Sequence, residues 1–185
     1  MTDPATPPSS APRPWPVTLA RWTGATALAG ALVGVAEASG LGGTATLLLP
    51  GLAIGLAQRL AAPDRVPAIW TLFSGLAWVA GVLLDATFAV RPEGLGLWLI
   101  PTATMAAWQT FLLADVRRAW PWLPASLLAA AALQAAAQAA CAVGCAPLAQ
   151  GIGPAAATIW TYLAGFAGYG LITGLALAWI SSRGR

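Results

Sequence analysis

The sequence contains no histidine and no lysine, and only 8% of its residues are charged. Soluble domains usually have about a quarter of their residues charged. Histidine and lysine supply many of the general bases and amine nucleophiles of enzymes, and the chain also lacks a phosphate-binding glycine loop. Its two cysteines have no histidine or further thiol to complete a metal site. We therefore expect no catalytic residues, no metal and no cofactor, and we do not expect an enzyme.

Apolar residues make up 58% of the chain, and they fall into six long runs. A bilayer span needs roughly 20 apolar residues, so the runs predict an all-α, polytopic membrane protein with six transmembrane helices. These fill one domain, residues 17–185, and leave no room for a soluble one. Residues 1–16 hold six of the fifteen prolines and predict a disordered tail. The predicted spans are about Ala20–Ala38, Thr44–Ala62, Pro67–Val90, Leu95–Ala114, Trp122–Cys141 and Ala155–Ile180.

The nine arginines predict the orientation of these spans. Eight fall at or before the start of span one, between spans two and three, between spans four and five, or after span six, and only Arg91 lies on the other side. Because positively charged loops stay in the cytoplasm, we expect cytoplasmic termini in a bacterial inner membrane. The arginines are dispersed at helix ends, which argues for lipid contacts and against a nucleic-acid partner. An alternative stays open, in which Arg21 and the apolar run to Ala38 form a cleavable signal peptide and five spans remain.

A short internal repeat is visible between span two and span six. Residues 51–58 (GLAIGLAQ) and residues 170–177 (GLITGLAL) agree at five of eight positions. Span four has a degenerate copy, with Thr102 and Ala106 at the small positions and Gln109 where Gln58 would be. Spans two and three, four and five, and six with one are thus predicted to be two or three copies of one helical hairpin. Copies in the same orientation would share a symmetry axis along the bilayer normal.

The second span and its turn carry a family resemblance. Gly51-xxx-Gly55-xx-Gln58, an arginine-bearing turn, Trp70 and then Gly75-Leu-Ala-Trp78 resemble a group of uncharacterised bacterial multi-pass proteins. These carry repeated G-xxx-G-xx-Q, Leu-Arg and Gly-Trp motifs. The similarity extends over residues 51–81, and the chain departs from it at Thr102 and Ala106, where the motif has glycine. The resemblance implies a multi-pass helical fold and no particular activity.

Pairs of glycines four residues apart predict where helices approach closely. This spacing lets helix backbones meet inside lipid, where no hydrophobic force drives association. The interface is either within the chain or with a membrane-protein partner or a second copy. Pro50 and Pro101 within spans two and four predict kinks. The glycine pairs are Gly30 and Gly34, Gly51 and Gly55, and Gly170 and Gly174.

Four glutamines are the polar side chains best placed to form a site. No Asp or Glu falls near mid-bilayer, whereas Gln58 and Gln109 lie toward the cytoplasmic end and Gln134 and Gln138 share one face of span five. They form either interhelical hydrogen bonds of about 1 kcal/mol or a polar ligand pocket together with Trp108. Other tryptophans near predicted cytoplasmic helix ends are typical of an interfacial aromatic belt, namely Trp15, Trp22, Trp70, Trp120, Trp122 and Trp179. Trp78, Trp98 and Trp160 lie deeper or toward the outer side.

Cys141 and Cys145 fall on the predicted outer side, where oxidising conditions favour disulfides. A spacing of four within a continuous helix is poor geometry for a bridge, so a disulfide is expected only if the helix ends near Cys141. Two free thiols stay an alternative.

Two functions fit this pattern. The first is a scaffold or accessory subunit of a membrane complex, whose contacts are the bilayer and a membrane-protein partner or a second copy. The second is small-molecule capture or transport, since six helices with inward termini are similar in size and topology to the substrate-binding subunits of energy-coupling-factor transporters. An outward-facing cavity lined by glutamine and tryptophan favours capture. A filled core with a flat Gly/Ala face exposed to lipid favours a scaffold.

Overall fold

The computed structural model describes residues 15–41, 44–88, 96–113 and 119–182. Those residues form six helices, so the prediction of an all-helical protein is confirmed. All but the last two residues of the predicted tail, and the connection that carries Arg91, lie outside the described residues. The helices are α1 (Trp15–Ala38), α2 (Thr44–Ala61), α3 (Trp70–Phe88), α4 (Gly96–Leu112), α5 (Trp122–Gly151) and α6 (Pro154–Ser182).

Two helix boundaries differ from the prediction. Helix α1 begins at Trp15 and so includes Pro16 in its first turn, where the missing N–H would have no partner anyway. Helix α5 continues to Gly151, so the predicted loop after Cys141 is wrong. Pro147 is exposed inside the last turns of α5, where a lost backbone hydrogen bond can be replaced by solvent. The connection to α6 is short and turns at Gly153, whose φ of 131° suits glycine.

Four of the helices, α1, α3, α5 and α6, are long and apolar enough to cross a membrane. Helix α4 has 17 residues, or about 26 Å at 1.5 Å per residue, which is the lower end of the spanning range. Helix α2 has a shorter apolar segment, Leu48–Ala61. Helix α5 has 30 residues, or about 45 Å, which exceeds a hydrocarbon core of about 30 Å. The protein is therefore helical with membrane-compatible helices, and six spans stay a prediction.

The helices form a closed ring. Each one packs against the next along the chain, and α6 packs against α1. The α5–α6 and α1–α6 interfaces are the largest of the six, and the α4–α5 interface is the smallest. Helix α6 therefore holds the bundle together, while α4 and α5 are the loosest neighbours.

The paired glycines lie within the bundle where backbones come close. A Cβ added to Gly30 would lie 2.5 Å from Cβ of Phe166 on α6, and one added to Gly170 would lie 2.8 Å from Cβ of Thr26 on α1. At Gly55 on α2 the added atom would lie 2.7 Å from Cβ of Ser74 on α3. Real Cβ atoms do not tolerate such distances, so the glycines are required by packing inside the chain. Gly34, Gly51 and Gly174 have equally close neighbours on α6, α3 and α1.

Burial reveals a second sequence pattern, distinct from the predicted glycine repeat. The pattern is Trp-xxx-Ser/Thr-xx-Ala, and it occurs on α1, α3 and α5 with every named position buried. Each copy places its tryptophan, hydroxyl and alanine on one helix face, since positions four and seven residues on share a face. The three copies are Trp22, Thr26 and Ala29; Trp70, Ser74 and Ala77; and Trp122, Ser126 and Ala129.

The helices that pack against these three copies also correspond to one another. Their alignment differs from the predicted one. The indole of Trp70 bonds to Gln58, that of Trp122 to Gln109, and that of Trp22 to Thr173. Thr173 therefore corresponds to Gln58, whereas the sequence alignment had matched Gln58 with Leu177. The error is one helical turn, because the glycine motif matches Gly170 and Gly174, whereas in the bonded register Gly170 corresponds to Gly55 and Phe166 to Gly51.

Candidate functional site

Seven buried side chains meet between the helices at one end of the bundle, and we call them the indole cluster. The Trp70 Nε1–H group donates to Gln58 Oε1 over 2.9 Å, and Trp122 Nε1–H donates to Gln109 Oε1 over 3.0 Å. Gln109 Nε2 donates to Ser74 Oγ over 2.8 Å. All members are 0% exposed: Trp22, Trp70, Trp122, Gln58, Gln109, Ser74 and Thr173.

The three indoles of the cluster also contact one another. The Trp122 ring lies edge-on to Trp22 and Trp70, with centroids 6.2 and 5.8 Å apart, a favourable geometry for aromatic pairs. Trp22 Nε1–H donates to Thr173 Oγ1 over 3.0 Å. The prediction that these tryptophans form an interfacial belt is wrong, because they point into the bundle. A tryptophan near a helix end can lie in an interfacial belt or pack inside the bundle. The helix face on which it stands decides between the two.

The indole cluster is a packing feature in which Gln58 and Gln109 bond to other side chains. Gln109 bonds through both Oε1 and Nε2. Gln58 bonds through Oε1, and its Nε2 has no partner among the described residues. A bonded polar network of this kind fixes how helices meet. The structure thus places these two glutamines in interhelical bonds, away from Gln134 and Gln138.

The described arginines lie at the same end as the indole cluster, which we call the arginine end. Arg21 donates to the Leu60 carbonyl oxygen over 3.4 Å, and Arg59 donates to the Pro63 carbonyl oxygen. The Arg65 guanidinium lies 5.0 Å from the centroid of the Trp15 ring, a cation–π distance. The arginines of α1, of α2 and of the turn after α2 are therefore gathered on one side of the bundle.

A cavity of about 250 Å³ lies between α4, α5 and α6, toward the α5–α6 connection. Both Gln134 and Gln138 line it, and neither amide has a hydrogen-bond partner within the described ranges. Its described lining carries no charged side chain. The lining residues are Trp98, Leu133, Gln134, Ala137, Gln138, Cys141, Thr161, Tyr162, Gly165 and Phe166.

One wall of the cavity is aromatic. The Trp98 ring on α4 lies 6.2 Å from Tyr162 and 6.2 Å from Phe166 on α6, and it also packs on Trp78. Trp108, the tryptophan predicted for a ligand pocket, does not line the cavity and instead packs on Phe73 at 5.7 Å. The tryptophan that reaches the cavity could not be chosen from the sequence, since this depends on how α4 is placed beside α5.

The cavity exists because α5 packs closely against α6 and less closely against α4. A Cβ added to Gly168 of α6 would lie 2.9 Å from the Ala132 carbonyl oxygen, and one added to Gly165 would lie 3.1 Å from that of Leu133. Small residues therefore clamp α5 onto α6. The smaller α4–α5 interface leaves the space that Trp98 borders.

The two cysteines lie at the rim of this cavity. Their sulfur atoms are bonded, with Cα atoms 4.5 Å apart, and α5 continues past both. The expectation that a bridge requires the helix to end near Cys141 is therefore wrong. Cys141 lines the cavity, and Cys145 Sγ lies 3.3 Å from Oγ1 of Thr161, which lines it too. No group of three or more metal-ligating side chains occurs among the residues described.

Comparison with known protein families, with curated proteins and with solved structures finds no match to this chain. The resemblance to uncharacterised bacterial multi-pass proteins therefore stays a prediction.

Proposed function

We propose that this protein captures a small, uncharged, lipophilic molecule in the cavity between α4, α5 and α6. The observation that carries the proposal is the lining, in which Gln134 and Gln138 face an aromatic wall and have no hydrogen-bond partner among the described residues. Apolar pockets with a few convergent polar groups are the usual form of small-molecule sites. Since the described lining has no charge, an ionic ligand would have no counter-charge there.

The size of the cavity limits the ligand. Its volume is about 250 Å³, whereas an apolar cavity of about 150 Å³ holds one benzene molecule. The cavity therefore suits one or two rings, or the head of a longer molecule whose tail lies outside. Exposed apolar side chains near it, such as Val143 at 83% exposure, suit entry from a lipid phase.

The membrane arrangement that we propose has six spans in a bacterial inner membrane with both termini in the cytoplasm. It is supported by the four helices that are long enough to span and by the gathering of Arg21, Arg59 and Arg65 at one end. With the arginine end inside, the cavity opens toward the outer half of the bilayer. A reporter fused after α6 that is active only in the cytoplasm tests this orientation.

We also propose that the six helices derive from three copies of one hairpin, formed by α2 with α3, α4 with α5, and α6 with α1. The support is the threefold occurrence of the Trp-xxx-Ser/Thr-xx-Ala pattern and its bonded partners on the neighbouring helix. The cavity belongs to one hairpin copy, because Gln134 and Gln138 both lie on α5 and have no counterparts on α1 and α3. Ligand capture would then be a feature added to one copy.

The test is native mass spectrometry of the full chain extracted in mild detergent, which preserves bound molecules. We expect a retained small molecule at one per chain, and its loss by about tenfold or more when both Gln134→Leu and Gln138→Leu are present. Trp108→Phe, outside the cavity, is the matched control and should retain the molecule. Folded protein that carries no small molecule in several mild detergents would overturn the proposal.

A second candidate function, docking to a membrane partner as a scaffold subunit, is favoured by one face of α5. Between the exposed Leu128 and Val143 this face carries a run of exposed small residues: Ala131, Ala135, Ala139 and Ala142. The exposed faces of α1 and α3 carry leucines instead, such as Leu32 and Leu76. Small residues let another helix approach closely in lipid, so this face suits a second helix better than acyl chains.

The docking candidate is tested by the same extraction, read out as co-migrating protein. If α5 docks a partner, Ala135→Trp should remove it, since a large ring would block close approach. Leu76→Trp on the exposed face of α3 is the matched control and should leave the complex intact. Monomeric protein in both variants and in the unmodified chain would exclude this role.

A further inference from the structure

We propose that the captured molecule is a lipid-soluble quinone and that the Cys141–Cys145 pair exchanges two electrons with it. The inference rests on the proposed capture function, and it names the ligand class and a reaction for the same cavity. Three independent features of the cavity carry it: the aromatic wall, the position of the amides, and the sulfur atom at the rim.

The aromatic wall suits a planar ring. Trp98, Tyr162 and Phe166 lie 6.2–6.3 Å from one another by ring centroid, so their relative positions are fixed by mutual packing. A flat, electron-poor ring gains from stacking or edge contacts with such electron-rich faces. An acyl chain would fill the same space without using the polar groups beside it.

The polar groups suit a neutral ligand with two acceptor atoms. Gln134 and Gln138 are one helical turn apart on the same face of α5, so their Cβ atoms are about 5–6 Å apart. Each amide offers N–H donors, and Thr161 adds a hydroxyl. A quinone carries two carbonyl oxygens on opposite sides of one ring and has no charge. It therefore matches two separated donors in a cavity whose described lining carries no charged side chain.

The redox group belongs to the same helix face. Positions 134, 138, 141 and 145 are separated by four, three and four residues, so they form one continuous stripe. Cys141 lines the cavity itself, and both cysteines are only partly buried. A ring held by the amides thus lies beside a sulfur atom that a protein on the same side of the membrane can also reach.

The reaction balances as a two-electron exchange. When the pair is reduced, its two S–H bonds break and the S–S bond forms, which releases two electrons and two protons. The quinone carbonyls take up both and become a hydroquinone. The hydroxyl of Thr161, 3.3 Å from Cys145 Sγ, is placed to pass a thiol proton toward the cavity.

The pair is returned to its reduced form by thiol–disulfide exchange. A dithiol of another protein attacks the Cys141–Cys145 bond, forms a mixed disulfide and leaves with its own disulfide. The net result is oxidation of that protein's dithiol by the quinone. The required location is an oxidising compartment, which is where the proposed orientation places the end of α5.

The experiment uses the full chain in mild detergent, reduced with a phosphine that is then removed, under anaerobic conditions. The probe is a fully ring-substituted short-tail ubiquinone analogue, because it has no free ring carbon for thiols to add to. We expect quinone absorbance to fall in step with the loss of titratable thiols, at one quinone per cysteine pair. Quinone binding is measured separately on the oxidised chain by native mass spectrometry.

Variants separate binding from electron transfer. Cys145→Ser should abolish quinone reduction and leave binding unchanged, whereas Gln134→Leu with Gln138→Leu should weaken binding by about tenfold, or about 1.4 kcal/mol. Trp108→Phe should change neither. Circular dichroism and size-exclusion profiles show beforehand that each variant is folded, and the unmodified chain gives the primary result in any case.

The outcomes distinguish this inference from the capture function. A quinone that binds while the thiols stay reduced overturns the electron exchange and leaves capture intact. Retention of some other small molecule, with no binding of the quinone, overturns both the ligand class and the electron exchange and leaves capture intact. Failure to retain any molecule overturns both.

Discussion

Gln58 and Gln109 at the arginine end are bonded to indole groups and fully enclosed. Gln134 and Gln138, farther from that end, face a cavity and have no hydrogen-bond partner in the part of the chain that the structure describes. Both regions combine glutamine with tryptophan between the same set of helices. They differ in how tightly the helices approach, since three of the helices meet through buried indoles at one end. At the other end α4 stands apart from α5. The lesson is that amide groups in this bundle stabilise it where helices touch and are free for a ligand where helices separate.

The largest expected effect comes from closing the space between α1 and α6. Gly30→Ala would place a Cβ 2.5 Å from Phe166 and 2.6 Å from the Tyr162 carbonyl oxygen, and the latter is backbone that cannot turn away. Overpacking of this kind costs roughly 1–3 kcal/mol, and we expect the upper part of that range in detergent unfolding. Because Phe166 and Tyr162 line the cavity, ligand retention should fall too. Gly24→Ala, with no atom within 4 Å, is the matched control and should be neutral or slightly stabilising.

The second effect tests the comparison directly with one substitution at each end. Gln109→Leu removes the acceptor of Trp122 and the donor to Ser74, which should lower the free energy of unfolding by about 1–2 kcal/mol. Gln138→Leu removes an amide without a partner among described residues and should change stability by less than about 0.5 kcal/mol. Equal losses in both variants would show that the two ends do not differ in the way described.

The smallest effect concerns the copy that uses threonine in place of glutamine. Thr173→Val keeps the side-chain shape and removes the acceptor of the Trp22 N–H group, so a loss of about 1 kcal/mol is expected. Thermal unfolding of the purified chain measures it, with Thr158→Val on the exposed start of α6 as the control. An unchanged midpoint would mean that the α6–α1 contact depends on its glycines alone.

The helical class and the general position of the helices follow from the apolar runs, because a run of that length can satisfy its backbone only as a helix in lipid. The end of α5 could not be found in this way. Pro147 and the glycines after it are typical of a loop, yet Pro147 stands on an exposed face near the end of the helix, where it is tolerated. Local composition does not record which face a residue occupies.

The candidate site could be predicted only in part, because the sequence does not show which helix faces meet. The spacing of Gln134 and Gln138 places them on one face of any helix, so their presence together at the cavity follows from the sequence. Trp98 could not be separated from Trp108, because both lie on α4 and only tertiary packing decides which one meets α5. The buried roles of Trp22, Trp70 and Trp122 were hidden by their position near helix ends.

The closed ring of helices also sets the timing of folding during synthesis. Trp22 on α1 meets its acceptor Thr173 on α6 only 151 residues later in the chain. At about 5–20 residues per second, the ribosome needs roughly 8–30 seconds to make that interval. Throughout this time the glycine face of α1 has no native neighbour from α6, so any other small-residue helix in the membrane competes for it. Helix α6 is therefore the one that commits these helices to their own fold.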